Sequence, residues 1–238
     1  MKAWLAALLV AAALAASTAH GAELQPFTAR FTLAYSSLPV GDLRLTLTRD
    51  TRPGHWVIQS RGGASGLWRL FYSATAVQTS WLAVKDGQVR PDRFVVDDGT
   101  KDKDKDISLH FDWSEGRVAG TSEGKPLDLP TEPNLQDPVS IQIATMVALM
   151  AGHQPGTLPM VNGDSIDKFE YTLLRKERIK TDAGEFDTEV YSSIAPDSKN
   201  VMYLWLAPKL NYLAVRVEKW RKGKKKFSLS LDKYTESP

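Results

Sequence analysis

Apolar and polar residues alternate with period two through most of the chain beyond residue 26. Phe27, Ala29, Phe31, Leu33 and Tyr35 share one face of an extended segment, with Thr28, Arg30 and Thr32 on the other. The same alternation runs through Leu43, Leu45 and Leu47, through Ile107, Leu109, Phe111 and Trp113, and through Phe227, Leu229 and Leu231. One apolar and one wet face is the pattern of antiparallel strands covered on a single side. Turn dipeptides separate the segments at hairpin spacing: Pro53-Gly54, Asp86-Gly87, Asp98-Gly99, Glu115-Gly116, Glu123-Gly124, Ala183-Gly184, Pro196-Asp197 and Lys222-Gly223. The pattern predicts a mainly β chain, a meander of roughly a dozen long strands.

Two segments break the alternation. Gly66-Leu67-Trp68-Arg69-Leu70-Phe71 is too apolar for a free loop and is expected to form a turn of helix at the sheet edge. Asp137 to Gly152 reads as a helix, with Asp137 as N-cap, Pro138 at the first helical position and Gly152 ending it in the left-handed conformation. Val139, Ile141, Ile143, Met146, Val147, Leu149 and Met150 leave that helix little polar surface, so it must be buried. Lys125 to Asn134, with Pro126, Pro130 and Pro133, reads as the connector into it. The expected organisation is a β-rich domain over 22–238, with two meanders, 22–130 and 157–238, joined by a buried helix at 137–152.

The first residues change the compartment. Lys2, an apolar run from Ala3 to Ala16, and small residues at Ala19 and Gly21 have the order of a cleavable signal peptide spanning 1–21. The run is shorter than the ~20 residues of a spanning helix, so no integral membrane segment is expected after cleavage. The chain has no Cys, which excludes a lipid-modified cysteine, disulfides and thiolate chemistry. Export without disulfides points to the periplasm of a Gram-negative bacterium. The formal charge of +2, falling to +1 without Lys2, argues against nucleic acid as a partner.

Candidate chemistry is sparse. His55, His110 and His153 do not stand at metal-ligand spacing, no nucleophile elbow or phosphate loop is present, and no metal or cofactor is expected. Lys101 to Asp106 places Asp102, Asp104 and Asp106 like the first ligands of a calcium loop, but Ile107 and Trp113 stand where that loop needs Gly and Glu. The run reads instead as a solvated strand end, lysines on one face and aspartates on the other. Arg221, Lys222, Lys224, Lys225 and Lys226 cluster at a hairpin tip and are candidates for contact with an anionic lipid surface. The apolar face, with Trp56, Trp68, Leu70, Phe71, Trp81, Trp113, Met146, Met150 and Trp205 as its candidate lining, has only one helix to cover it.

Several short motifs together carry a family resemblance. They are Val40-Gly41, Gly66 to Phe71, Phe111-Asp112-Trp113, Val118-Ala119-Gly120, Leu129-Pro130, Asp137 with Ser140, Gly184 to Thr188, Trp205-Leu206-Ala207-Pro208 and Val215 to Glu218. In this order the chain resembles the exported bacterial family of domain of unknown function 3108. The resemblance implies a large curved antiparallel sheet, an open half-barrel similar to those of periplasmic lipoprotein carriers, with the helix against the concave face. It implies no catalytic residues. The expected function is non-enzymatic binding of a lipid, acyl chain or other amphipathic envelope component on that face. An envelope scaffold that docks a protein and a glycan-active or esterase-like hydrolase are the alternatives.

Overall fold

The alternating segments become fourteen strands of a single antiparallel sheet in the computed structural model, which describes residues 23–66 and 74–237. The leader at 1–21 and three candidate residues, Trp68, Leu70 and Phe71, lie outside the described residues. The first meander comprises β1 (Phe27–Tyr35), β2 (Leu38–Arg49), β3 (His55–Ala64), β4 (Thr75–Lys85), β5 (Gln88–Asp97), β6 (Ile107–Asp112), β7 (Arg117–Ser122) and β8 (Lys125–Pro130). Helix α1 (Ser140–Met150) follows, and then β9 (Thr157–Asn162), β10 (Ser165–Thr181), β11 (Gly184–Ile194), β12 (Asn200–Ala207), β13 (Leu213–Arg221) and β14 (Lys224–Glu236).

Each strand pairs with its chain neighbour, and β1 pairs with β14, so the two meanders fuse into one sheet with β8 and β9 as its edges. The sheet is an open half-barrel. Register shifts at Arg30/Phe31, Trp81/Leu82, Leu173/Arg175 and Trp205/Leu206 insert the bulges that bend strands and increase twist. The inward residues of the alternation, Phe27, Ala29, Phe31, Leu45, Leu47, Ile58 and Leu82, are buried together with Ile143, Met146 and Val147 of α1. The helix therefore lies in the trough, as its apolar composition requires.

Asp137 fixes where the helix begins. Its Oδ1 accepts from the backbone N–H of Val139 and of Ser140, both at 2.8 Å, while Ser140 Oγ accepts from the Asp137 N–H at 2.9 Å. The Ile141 N–H donates to the Asp137 carbonyl, the first intrahelical bond, so Asp137 caps the helix as expected. At the other end Gly152 has φ +77°, Gly152 N–H bonds Leu149 O and His153 N–H bonds Ala148 O. These two bonds are the Schellman motif.

Two expectations are corrected. Lys125–Pro130 is not a connector but the edge strand β8, in which prolines are tolerated because one side of the strand makes no ladder bonds. Lys101 to Asp106 is not an alternating strand end. Asp102 accepts from the Asp104 N–H at 3.0 Å and caps a 3₁₀ turn over Lys103–Lys105, since aspartate side chains compete with the ladder for backbone donors. Lys103 Nζ lies 3.0 Å from Asp97 and 3.3 Å from Asp106, so the lysine's own ammonium holds the acidic cluster of Asp97, Asp98 and Asp106.

One glycine of the family motifs has a clear physical reason. Gly120 adopts φ +152°, and a Cβ there would collide with the Ser108 carbonyl of the neighbouring strand. Gly120→Ala is expected to lower unfolding free energy by about 2 kcal/mol in urea denaturation. Gly87→Ala, at a turn with open space around it, is expected to cost about 1 kcal/mol.

Candidate functional site

The helix seals only part of the trough. Ile143, Met146 and Val147 join the main core, and Leu149 packs with Tyr191, Leu206 and Ala214 of the second meander. Pro138, Ile141, Gln142 and Thr145, spaced as one helical face, look instead onto a cavity of about 440 Å³. Its opposite wall is the inner face of β9 to β14, including Met160, Phe169, Met202, Leu204, Val217 and Leu229. A second cavity of about 220 Å³ lies on the β1–β4 side of the helix start, against Phe31, Leu43 and Leu45. The two share Pro138, Gln142, Ala214, Val217 and Leu229, so together they form one groove passing beside the helix N-terminus.

The groove has an apolar floor and a polar rim. Asn162, Asp167, Ser198, Asn200 and Lys219 stand at its edge, with Asn162 Nδ2 donating to Asp167 at 2.7 Å. Lys219 makes no ion pair among the described residues. Tyr171 lies deeper, between Thr145 and Ser193, and burial raises its phenol pKa despite those two hydroxyls, so it stays neutral.

A buried polar knot anchors one wall. Asp137 is wholly inaccessible, and its Oδ2 lies 2.6 Å from Ser80 Oγ of β4. Desolvation pushes its carboxyl above the ordinary value of 3.8, and the hydrogen bonds from Ser80, Ser140 and Val139 oppose that rise. Next to it Gln136 Nε2 donates to Val89 O at 2.9 Å while its backbone bridges β9 through Pro159 O and Val161 N. Helix start, β4, β5 and the β9 edge are thus tied at one place.

Among the described residues, the candidate tryptophans lie elsewhere. Trp56 is in the main core with the Arg49 guanidinium 4.7 Å from its ring centroid. Trp81 alternates with the buried Ser80 and Leu82, which turns it to the opposite face, where Arg93 stacks at 5.2 Å. Trp205 alternates with the groove residues Leu204 and Leu206 and is buried in the main core cluster, its Nε1 donating to Glu177. Arg175 and Trp205 together hold the Glu177 carboxyl below its usual range. Trp113 donates to Pro91 O at 2.8 Å and borders a separate surface notch of about 340 Å³ with Arg90. Met150 packs on the main core, and Met146 borders the groove. Side-chain size led to the tryptophans; the alternation of Met202, Leu204 and Leu206 along β12 was the better signal. Arg221, Lys222, Lys224, Lys225 and Lys226 lie at the β13–β14 hairpin, as expected.

The fold and groove define a class, the open antiparallel half-barrels with a helix laid in the trough. Within it, the chain belongs to the family described as protein of unknown function DUF3108, whose model matches residues 30–229. The fold is similar to a beta-barrel-like protein of domain of unknown function DUF1849 from Brucella abortus. That similarity has TM-score 0.58 and 12% identity, over 91% of this chain and 99% of that one. A Bacteroides fragilis protein with a YmcC-like fold aligns at TM-score 0.38 and 10% identity, over 90% of this chain and 97% of that chain. MucB aligns at TM-score 0.38 and 11% identity, over 90% of this chain and 54% of its own. No curated protein matches the sequence. Among the described residues, no helix is long and apolar enough to cross a membrane.

Proposed function

We propose that this is an exported, non-enzymatic envelope protein that holds the apolar chain of an amphipathic molecule in the groove beside α1. The observation that carries the reading is the groove itself, continuous past the helix start, with a wall of Met, Leu, Val and Phe side chains interrupted by a few uncharged polar ones (Gln142, Thr145, Tyr171, Ser193), and charged only at its rim. Its size falls within the usual range for small-molecule sites, about 300 to 1,000 Å³. A chain of about a dozen methylenes would gain about 10 kcal/mol gross on burial. Association costs of about 4 kcal/mol leave about 6, a dissociation constant of tens of micromolar. Lys219 at the rim suits an anionic head group, which adds to that figure.

Export to the periplasm belongs to this proposal and rests on the leader-like residues 1–21. The test of binding is twofold. Solvent extraction of the purified protein followed by mass spectrometry is expected to recover an acyl-chain compound, and delipidated protein is expected to take up a fluorescent fatty acid saturably. An empty extract together with no uptake overturns the reading.

A further inference from the structure

The groove wall continues, in register, onto an exposed ledge. Ser193, Met202 and Lys219 border the cavity and are direct cross-strand partners on β11, β12 and β13. The same row extends from Lys219 to Phe227 on β14, to Tyr35 on β1 and to Leu38 on β2. Directly opposed residues of an antiparallel sheet share a face, so these three large side chains prolong the groove wall outward from its rim. Phe227 is 42% exposed, Tyr35 46% and Leu38 64%, and the Tyr35 and Phe227 rings lie 5.1 Å apart. They account for three of the six large apolar side chains exposed among the described residues, so the ledge is a concentrated apolar patch.

Cations crown this ledge. Arg221 and Lys224 oppose each other at the hairpin tip, and Arg221 also pairs with the groove residue Asn200, which puts the tip above the groove mouth. Lys225 is taken up by Glu218 at 3.2 Å, but Arg221, Lys222, Lys224 and Lys226 make no ion pair among the described residues. The Ser36 N–H donates to Lys226 O at 3.0 Å and the Lys222 N–H to Lys199 O at 3.4 Å, so the tips of three hairpins are joined there. Asp164 and Asp197 in the neighbouring turns offset only part of the positive charge.

We propose that the row Leu38, Tyr35 and Phe227 with the Arg221–Lys226 hairpin is a docking surface for an anionic phospholipid bilayer. Aromatic and aliphatic side chains would enter the interface while the cations meet the head groups, the two contributions that together hold peripheral proteins on membranes. Docked this way, the groove mouth faces the lipid. The surface does not require that the groove be filled, so its test is separate from that of ligand binding.

The test is co-sedimentation of the full-length purified protein with vesicles of phosphatidylglycerol and phosphatidylcholine, against vesicles of phosphatidylcholine alone. Partition is expected to favour the anionic vesicles at least tenfold and to fall steeply between low and high salt. Charge reversal by Arg221→Glu with Lys224→Glu is expected to lower it more than tenfold, about fivefold or more for each site. Leu38→Ser with Phe227→Ser is expected to lower partition into both kinds of vesicle. Because all four positions are exposed, circular dichroism and thermal midpoint are expected to match the parent. Equal partition into neutral and anionic vesicles, no loss in either double variant, or no partition at low salt would each overturn the proposal. The last outcome would assign the ledge to a protein partner.

Discussion

Replacement of Asp137 by Ala is expected to lower the unfolding free energy by about 3 kcal/mol and to loosen the helix from the sheet. The carboxylate receives two backbone N–H groups of the first helical turn and the Ser80 hydroxyl, and all of these groups are buried. Removing it leaves three donors without partners in a place that water does not reach. Urea denaturation measures the loss, and hydrogen exchange of α1 amides reports the undocking.

Asp137→Asn keeps an acceptor for the backbone donors and is expected to cost about 1 kcal/mol. It also removes a titration. An acid whose pKa is raised by folding binds its proton more tightly in the native state, so the stability it contributes is fully present below its unfolded value of 3.8. That contribution disappears as pH rises through the folded value. Asp50, Asp97, Asp98, Asp112 and Glu177 have lowered values and act in the opposite direction, losing stability as pH falls. The difference in unfolding free energy between the parent and Asp137→Asn isolates the single group. It is expected to shrink from pH 4 upward, and a difference constant across the acid range would show that Asp137 keeps an ordinary pKa.

The strands were legible because period-two alternation and glycine turns are local signals. Phe27, Ala29 and Phe31, or Leu45 and Leu47, declare their face without knowledge of their partners. The helix was equally plain, since Asp137, Pro138 and Gly152 are terminal signals that act on adjacent backbone. Pro126 and Pro130 misled because proline marks a loop and an edge strand alike, and only the sheet order separates them. Lys101 to Asp106 misled because alternating charge resembles a strand while aspartate carboxylates cap turns. The groove was the least legible part. Whether a large side chain lines a cavity depends on which face its strand presents after the bulges, and Trp81 and Trp205 sit beside register shifts. Their indoles are already engaged by Arg93, Arg216 and Glu177, contacts made between strands whose register the local pattern does not give.

That partition between core, outer face and groove sets the last expectation. Val217 is half-buried, borders both cavities, and pairs with Leu204 on one side and Leu229 on the other, themselves groove residues. Val217→Trp places an indole where the two cavities meet. The cavity gives the added ring space, so the variant is expected to lose no more than about 1 kcal/mol of stability, at the low end for an enlarged interior side chain. An acyl chain crossing the same point would be excluded, and uptake of fluorescent fatty acid is expected to fall at least tenfold, with Val217→Leu intermediate. Fluorescence titration of folded variants, matched by denaturation midpoint, measures both effects. Vesicle docking through Phe227 and the Arg221–Lys226 hairpin should survive Val217→Trp unchanged, because that surface lies outside the filled volume. Unaltered fatty-acid affinity in the tryptophan variant would move the ligand out of the groove. The 340 Å³ notch beside Trp113, on the far side of the sheet order from β12, would then be the place to test next.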